Sequence, residues 1–141
     1  MSAIFVDTWA WIALASADDQ HHAAAIDEHR KLKRKRRGYV TTDFVLSEVI
    51  THLYRKQDAA QAESFLQGLW EAFDHDVHKL VHVSDVQLRQ AWQLRKKYHD
   101  KPEISFVDFT SFIVMRELNI TDVFSGDAHF EQVGIGFRLL P

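Results

Sequence analysis

Four acidic residues occupy positions at which a fold of alternating strands and helices places its chemistry. Asp7 directly follows a short apolar run, and Asp127 closely follows another one near the end of the chain. Glu48 and Asp108 each lie in the first turns of a predicted helix. Carboxylates that share a low-dielectric crevice repel one another, and a hard divalent cation such as Mg²⁺ or Mn²⁺ offsets that repulsion. A bound cation of this kind activates water and orients phosphate oxygens, so the four acids predict hydrolysis of a phosphoester if they meet.

Each acid also has a structural interpretation when it is taken singly. Asp7 and Asp127 fit the N-cap positions of helices, where a carboxylate accepts hydrogen bonds from free backbone amides. Ser105 and Asp108 have the spacing of a capping box. Glu48 falls outside the apolar stripe of its helix, which suits either a solvated face or a cleft. Only the convergence of the four would favour chemistry over local capping.

The elements that must position these acids alternate along the chain. Strands are predicted at 3–6, 39–42, 80–83, 122–125 and 137–140, and helices at 8–15, 21–35, from Asp43 onward, 59–73, 84–98 and 105–117. This alternation predicts a parallel sheet with helices on both faces. Ligands of such sheets bind at the carboxyl ends of the strands, which is where Asp7 and Asp127 are expected.

Length and composition exclude several classes of protein. The 141 residues suit a single domain spanning 1–141, and 46% hydrophobic with 26% charged residues is a globular composition. The absence of cysteine excludes disulfide scaffolds, thiolate nucleophiles and Cys-based metal sites. No apolar stretch approaches the ~20 residues of a membrane helix, and the first residues lack the basic segment of a secretory signal. We therefore expect a soluble cytoplasmic protein that has no membrane partner.

A basic run interrupts an otherwise mildly acidic chain, whose formal net charge is -3. It consists of Arg30, Lys31, Lys33, Arg34, Lys35, Arg36 and Arg37. Its cations are candidates for contact with phosphates or with an acidic partner. The other interpretation is a solvated helix end, because cations favour a helix C-terminus and Gly38 follows as a stop signal. The pattern does not choose between the two.

Four segments in order resemble the successive motifs of a PIN domain. They are Ile4-Phe5-Val6-Asp7-Thr8, Thr41-Thr42-Asp43-Phe44-Val45-Leu46-Ser47-Glu48, Ile104-Ser105-Phe106-Val107-Asp108 and Val123-Phe124-Ser125-Gly126-Asp127-Ala128-His129-Phe130. The chain is similar in particular to the VapC-like toxins of type II toxin–antitoxin pairs. The resemblance implies an α/β fold: a three-layer α/β/α sandwich with a central, mostly parallel sheet of four to five strands. It also implies a metal-dependent ribonuclease.

The resemblance further implies roles for individual residues and partners. Asp7 and Asp108 would be the principal ligands of Mg²⁺ or Mn²⁺, while Glu48 and Asp127 would complete the site directly or through water. Thr8 matches the small hydroxyl residue that supports the first acid. RNA would be the substrate, and its backbone would be followed by Arg34, Lys35, Arg36 and Arg37 of the basic run. The chain would form a homodimer, and a cognate antitoxin protein would be a further partner.

Other interpretations remain beside the toxin nuclease. A PIN-like fold also serves as a non-catalytic module that binds RNA or protein, and a housekeeping PIN nuclease needs no antitoxin. A haloacid-dehalogenase-type phosphatase is disfavoured because Trp9 stands where its second aspartate belongs. A receiver domain is disfavoured because no lysine follows Lys101. Histidines are not expected to bind metal, and His129 is expected to cap a helix or to pack beside Phe130.

Overall fold

The computed structural model describes residues 2–141, so Met1, which the predicted domain includes, lies outside the described residues. The strands are β1 (Ile4–Val6), β2 (Tyr39–Thr42), β3 (His78–Val81), β4 (Asp122–Phe124) and β5 (Arg138–Leu140). The helices are α1 (Thr8–Ala15), α2 (His22–Arg34), α3 (Asp43–Lys56), α4 (Ala59–Asp74), α5 (Asp85–Lys97), α6 (Phe106–Glu117) and α7 (His129–Gln132). Most predicted elements are confirmed to within one or two residues.

The five strands form one parallel sheet in the order β3-β2-β1-β4-β5. The central strand β1 has no solvent exposure at Ile4, Phe5 or Val6. Successive strand residues point to opposite faces, so helices must cover both faces of the sheet. This confirms the predicted α/β fold with helices on both sides, at the upper end of the expected four to five strands.

The helix that carries Asp108 is buried almost all the way round. Every residue of α6 from Asp108 to Met115 is buried, including Phe109 and Phe112, which stack edge-to-face. Phe112 in turn contacts Phe130 of α7, so α6 is fixed against the short helix that follows Asp127. A helix buried in this way cannot shift without disturbing the core, and it therefore holds its first turn in place.

Two predicted elements differ from the structure. The third strand begins two residues earlier than the apolar run suggested, because Tyr39 pairs with His78 and sets the register of this edge strand. Helix α7 was not predicted, since its four residues are too few to show a helical period. Among residues 2–141, no helix has both the length and the apolar character that a membrane span requires.

Candidate active site

Asp7 lies at the carboxyl end of the central strand, as the sequence predicts. It stands at the N-cap position of α1, yet its carboxylate makes no capping hydrogen bond. Instead Asp7 Oδ2 accepts a hydrogen bond of 3.0 Å from the Ser125 hydroxyl. Only 4% of Asp7 is exposed. Burial, together with repulsion from Asp108 and Asp127, raises the pKa of Asp7 to about 7. The simple capping interpretation therefore does not account for Asp7.

Asp108 reaches the same edge from the first turn of α6. Ser105 and Asp108 form the predicted capping box, in which the Ser105 hydroxyl accepts from the Asp108 amide and Asp108 Oδ2 accepts from the Ser105 amide. This reciprocal pair fixes the orientation of a carboxylate that is otherwise buried. Burial raises the pKa of Asp108, and the hydrogen bond from His129 only partly offsets that effect. Capping and site formation are thus combined in one residue.

Asp127 is held by the loop that follows β4. Its amide donates to the Ser125 hydroxyl at 2.9 Å, and its Oδ1 accepts from the His129 amide at 2.9 Å. Ser125 therefore links Asp127 to Asp7, because the same hydroxyl donates to the Asp7 carboxylate. These bonds leave the second oxygen of Asp127 without a role in the loop's own structure.

His129 is the functional candidate that the sequence analysis missed. Its Nδ1 lies 3.0 Å from Asp108 Oδ2 and 3.1 Å from Asp127 Oδ1. Where both carboxylates are ionised they only accept hydrogen bonds, and the bridge then requires the tautomer with a proton on Nδ1. A deprotonated ring nitrogen would instead be a metal ligand. The spacing of two residues after Asp127 was the available signal, but it also fits the expected packing beside Phe130.

Glu48 approaches the site from α3 and is more open to solvent than the three aspartates. The Thr8 hydroxyl donates to Glu48 Oε1 at 2.9 Å, so the residue after Asp7 orients the fourth acid. Partial burial, together with repulsion from Asp108, raises the pKa of Glu48. The structure thus brings Asp7, Glu48, Asp108 and Asp127 to one edge of the sheet from four distant segments. We call these four residues the acidic site.

The donor set of this edge fits a hard divalent cation. Asp108, Asp127 and His129 each offer a ligand atom, and the three atoms lie within 4.8 Å of one another. Asp7 and Glu48 are not in this tight group, but they are tied to it through Ser125 and Thr8. Carboxylate oxygens with one imidazole suit Mg²⁺ or Mn²⁺. Three carboxyl groups with raised pKa values show that the protein's own groups do not fully neutralise the site.

The basic run lies at the amino ends of the strands, opposite the acidic site. Arg34, Lys35 and Arg36 are exposed where α2 leads into the start of β2, whereas the acidic site follows the strand ends. Arg37 is different, since its guanidinium lies 2.8 Å from Asp122 Oδ2 and also donates to the Ser2 carbonyl. Its side chain is only 14% exposed. Arg37 therefore has structural partners that its neighbours in the run lack, and RNA contact by all four cations stays a prediction.

Comparison with known proteins decides the family. The PIN domain model matches residues 4–136. The 23S rRNA-specific endonuclease VapC20 of Mycobacterium tuberculosis (strain ATCC 25618 / H37Rv) is 35% identical over 133 residues, which are 93% of this chain and 94% of that protein. The chain belongs to the PIN-domain family, in its VapC toxin branch. It is a VapC-like toxin endoribonuclease.

Solved structures agree with this assignment. The crystal structure of M. tuberculosis VapC20, a sarcin–ricin loop cleaving toxin, superposes with a TM-score of 0.77 at 33% identity and covers 94% of this chain and 95% of that one. VapBC2 from Rickettsia felis, bound to a DNA fragment from its promoter, gives a TM-score of 0.72 over 98% of this chain and 97% of that one. At 12% identity the second likeness shows the shared fold alone.

Proposed function

We propose that this VapC-family chain hydrolyses a phosphodiester bond of ribosomal RNA with a divalent cation bound at the acidic site. The observation that carries the proposal is the convergence of four carboxylates from distant segments, three of which have raised pKa values. Burying acids in this way is unfavourable unless an external cation completes the site. The similarity to VapC20 over 93% of the chain supports ribosomal RNA as the substrate class.

The residues would divide the work as follows. Asp108 and Asp127 would hold the cation. His129 would either be a third ligand or orient the two carboxylates, and Asp7 would complete the buried side of the site. Glu48, oriented by Thr8, stands on the open side, where it would align the attacking water. A cation bound there would lower the pKa of a water molecule and stabilise the negative charge that develops on the phosphate. The capping box at Ser105 and the Ser125 bridge keep the carboxylates in register with one another.

A protein antitoxin is the natural regulator of such an enzyme, and we propose one for this chain together with a homodimeric state. VapBC2 of R. felis is a toxin–antitoxin complex by its name, and its toxin shares this fold. The acidic site is exposed to solvent at Glu48, and we propose that a segment of the antitoxin binds there. The single domain over 1–141 and the cytoplasmic location likewise remain proposals.

Cleavage of total cellular RNA tests the function directly. Wild type is expected to cut with Mg²⁺ or Mn²⁺ and to be inactive with a chelator, and Asp108→Asn is expected to lower the rate at least ~100-fold. Asp27→Asn is the matched control, because Asp27 is an exposed aspartate of α2 outside the acidic site. Primer extension on 23S rRNA would locate the cut.

Two further outcomes would decide against the proposal. Cleavage that persists without divalent cations, or that survives Asp108→Asn, would remove the metal site as the catalytic centre. Saturable Mn²⁺ binding in a calorimetric titration without cleavage of any RNA would favour the non-catalytic binding module instead.

A further inference from the structure

The acidic site creates an electrostatic problem for the function proposed above, on which this inference rests. RNA brings a negative phosphate at every nucleotide, and an edge lined by four acids repels the flanking phosphates that a single bound cation does not neutralise. The basic run cannot neutralise the phosphates next to the scissile bond, because it lies at the amino ends of the strands. A positively charged side chain nearer to the acidic site is therefore required.

A groove beside the acidic site contains such a side chain, that of Arg55. It has a volume of about 360 Å³ and is lined by Thr8, Ser47, Glu48, Thr51, His52 and Arg55. On α3 the residues Glu48, Thr51, His52 and Arg55 follow the spacing that places side chains on one helix face. Because Thr8 donates to Glu48, the groove begins at the acidic site itself and continues along α3.

Arg55 is positioned to meet a phosphate rather than to stabilise the fold. It is exposed and lies seven residues after Glu48, about 10 Å farther along the helix axis. Among residues 2–141, no acidic side chain forms an ion pair with Arg55. By contrast, Arg89 pairs with Asp85, and Arg95 donates to three backbone carbonyls.

The neighbouring residue Lys56 shows that the position on the helix matters. Lys56 is equally cationic and exposed, but it lines a different groove, together with Asp18 and Asp19. Those acids lower the positive potential around Lys56, whereas the groove of Arg55 has no acid besides Glu48. The guanidinium fork also matches two phosphate oxygens at once, which a lysine ammonium does not.

We propose that Arg55 binds a backbone phosphate of the substrate RNA a few nucleotides from the scissile bond, with the Thr51 hydroxyl and His52 lining the same track. The RNA would enter along α3 and reach the acidic site past Thr8 and Glu48. Arg55 thereby supplies the charge that the acidic site lacks toward its polyanionic substrate, and it fixes the register of the strand.

The test is RNA binding in a cleavage-deficient background. In Asp108→Asn protein, the affinity for a fluorescent RNA oligonucleotide is measured by anisotropy over a range of KCl concentrations, with and without Arg55→Ala. Loss of Arg55 is expected to weaken binding about ten-fold and to reduce the slope of log affinity against log salt by about 0.7. Arg55→Lys should keep the slope and recover part of the affinity.

The matched control is Lys56→Ala, which should leave the slope unchanged. In the active protein, Arg55→Ala should raise KM while Mn²⁺ binding and the melting temperature stay at their wild-type values. An unchanged salt slope in Arg55→Ala, while wild type still cleaves RNA, would overturn this inference alone. Failure of the Asp108→Asn protein to bind RNA, with no cleavage by wild type, would overturn the proposed function as well. A loss of affinity for a co-expressed antitoxin at unchanged RNA slope would assign Arg55 to a protein partner and overturn the proposal.

Discussion

Two buried aspartates on neighbouring parallel strands have opposite electrostatic surroundings. Asp7 follows the carboxyl end of β1. Asp122 is the first residue of β4 and therefore lies at the amino ends of the strands. Both are nearly inaccessible to solvent, with 4% and 7% exposure. Asp122 accepts hydrogen bonds from Arg37 and Arg138, whereas Asp7 faces Asp108 and Asp127. Burial is thus common to the two, and the charge of their partners separates them.

The pKa values of the two residues follow from this difference. Burial alone would raise the pKa of Asp122, but the hydrogen bonds from Arg138 and Arg37 outweigh it and lower the pKa. The pKa of Asp7 is raised to about 7, mainly by a deeper burial of its carboxyl group and further by repulsion from Asp108 and Asp127. The chain therefore supplies its own counter-ions where a carboxylate is structural. Asp7 has acidic neighbours instead, which supports the proposal that a cation from outside completes its site.

The largest effect is expected for Asp7→Asn in metal-free protein as the pH changes. The folded state holds the Asp7 proton up to about pH 7, while the unfolded chain releases it near 3.8, the ordinary pKa of an aspartate. Stability of the wild type must therefore fall as the pH rises through this window, because the folded state binds more protons. Asn cannot ionise, so the variant should gain relative to wild type by up to about 4 kcal/mol.

Urea denaturation of both proteins at a series of pH values, with a chelator present, measures this gain. The quantity of interest is the difference in unfolding free energy between variant and wild type, since titrating groups that are not coupled to Asp7 cancel in that difference. A slope should remain in the variant itself, because Asp108 and Glu48 also have raised pKa values. A difference that does not depend on pH would show that Asp7 is compensated by the protein after all.

For Asp122, at the amino ends of the strands, we expect that replacing the carboxylate by an amide lowers stability. Asp122→Asn leaves the largely buried guanidinium of Arg37 without its carboxylate, and breaking such a pair should cost about 3 kcal/mol of unfolding free energy. Because the pKa of Asp122 is lowered in the folded state, its contribution is complete above the unfolded pKa and is lost as the pH falls through the folded value. The variant should therefore lose less stability on acidification than wild type does.

A matched substitution in the basic run sharpens this prediction. Arg37→Ala should be destabilising like Asp122→Asn, while Arg34→Ala, which alters an exposed arginine, should stay within about 0.5 kcal/mol of wild type. Equal stability of Arg37→Ala and Arg34→Ala would return Arg37 to the solvated basic run. Thermal melts of the purified variants at neutral pH are sufficient to compare them.

The sequence revealed the acidic edge better than the basic one. Asp7 and Asp127 follow apolar strands, and strand ends of a parallel sheet meet at one edge, so their convergence was predictable from order alone. The pairing of Arg37 with Asp122 joins residues 85 positions apart, and nothing in the local pattern distinguishes Arg37 from its neighbours in the basic run. Contacts between distant segments depend on strand register, which periodicity does not specify.

His129 and Gly126 show the same limit within the acidic edge. His129 bridges two acids from different segments, a relation that its spacing from Asp127 permits but does not require. Gly126 directly precedes Asp127 in the last of the four motifs. In the structure, a Cβ at this position would overlap the indole ring of Trp9, so the glycine is needed for a close approach between α1 and the loop that carries Asp127. Packing of this kind appears only when the two segments are placed together.

The smallest of the three effects concerns the packing of Gly126 against Trp9, which positions the loop that carries Asp127. Gly126→Ala must displace either the Trp9 ring or the loop that carries Asp127, and overpacking of this kind should cost about 2 kcal/mol. Gly68→Ala is the control, because nothing lies within 4 Å of a Cβ there and alanine favours the helix interior of α4. That control should be stabilised by up to about 1 kcal/mol.

The two glycine variants together decide whether the loop geometry matters to the acidic site beyond stability. If Gly126→Ala displaces Asp127, Mn²⁺ affinity should fall along with the melting temperature, since Asp127 and His129 are carried by the same loop. If the Trp9 ring moves instead, stability should fall while Mn²⁺ affinity is retained. Unchanged stability in Gly126→Ala would contradict the close approach itself. It would leave the Ser125 hydrogen bonds as the contacts that hold Asp127 beside Asp7.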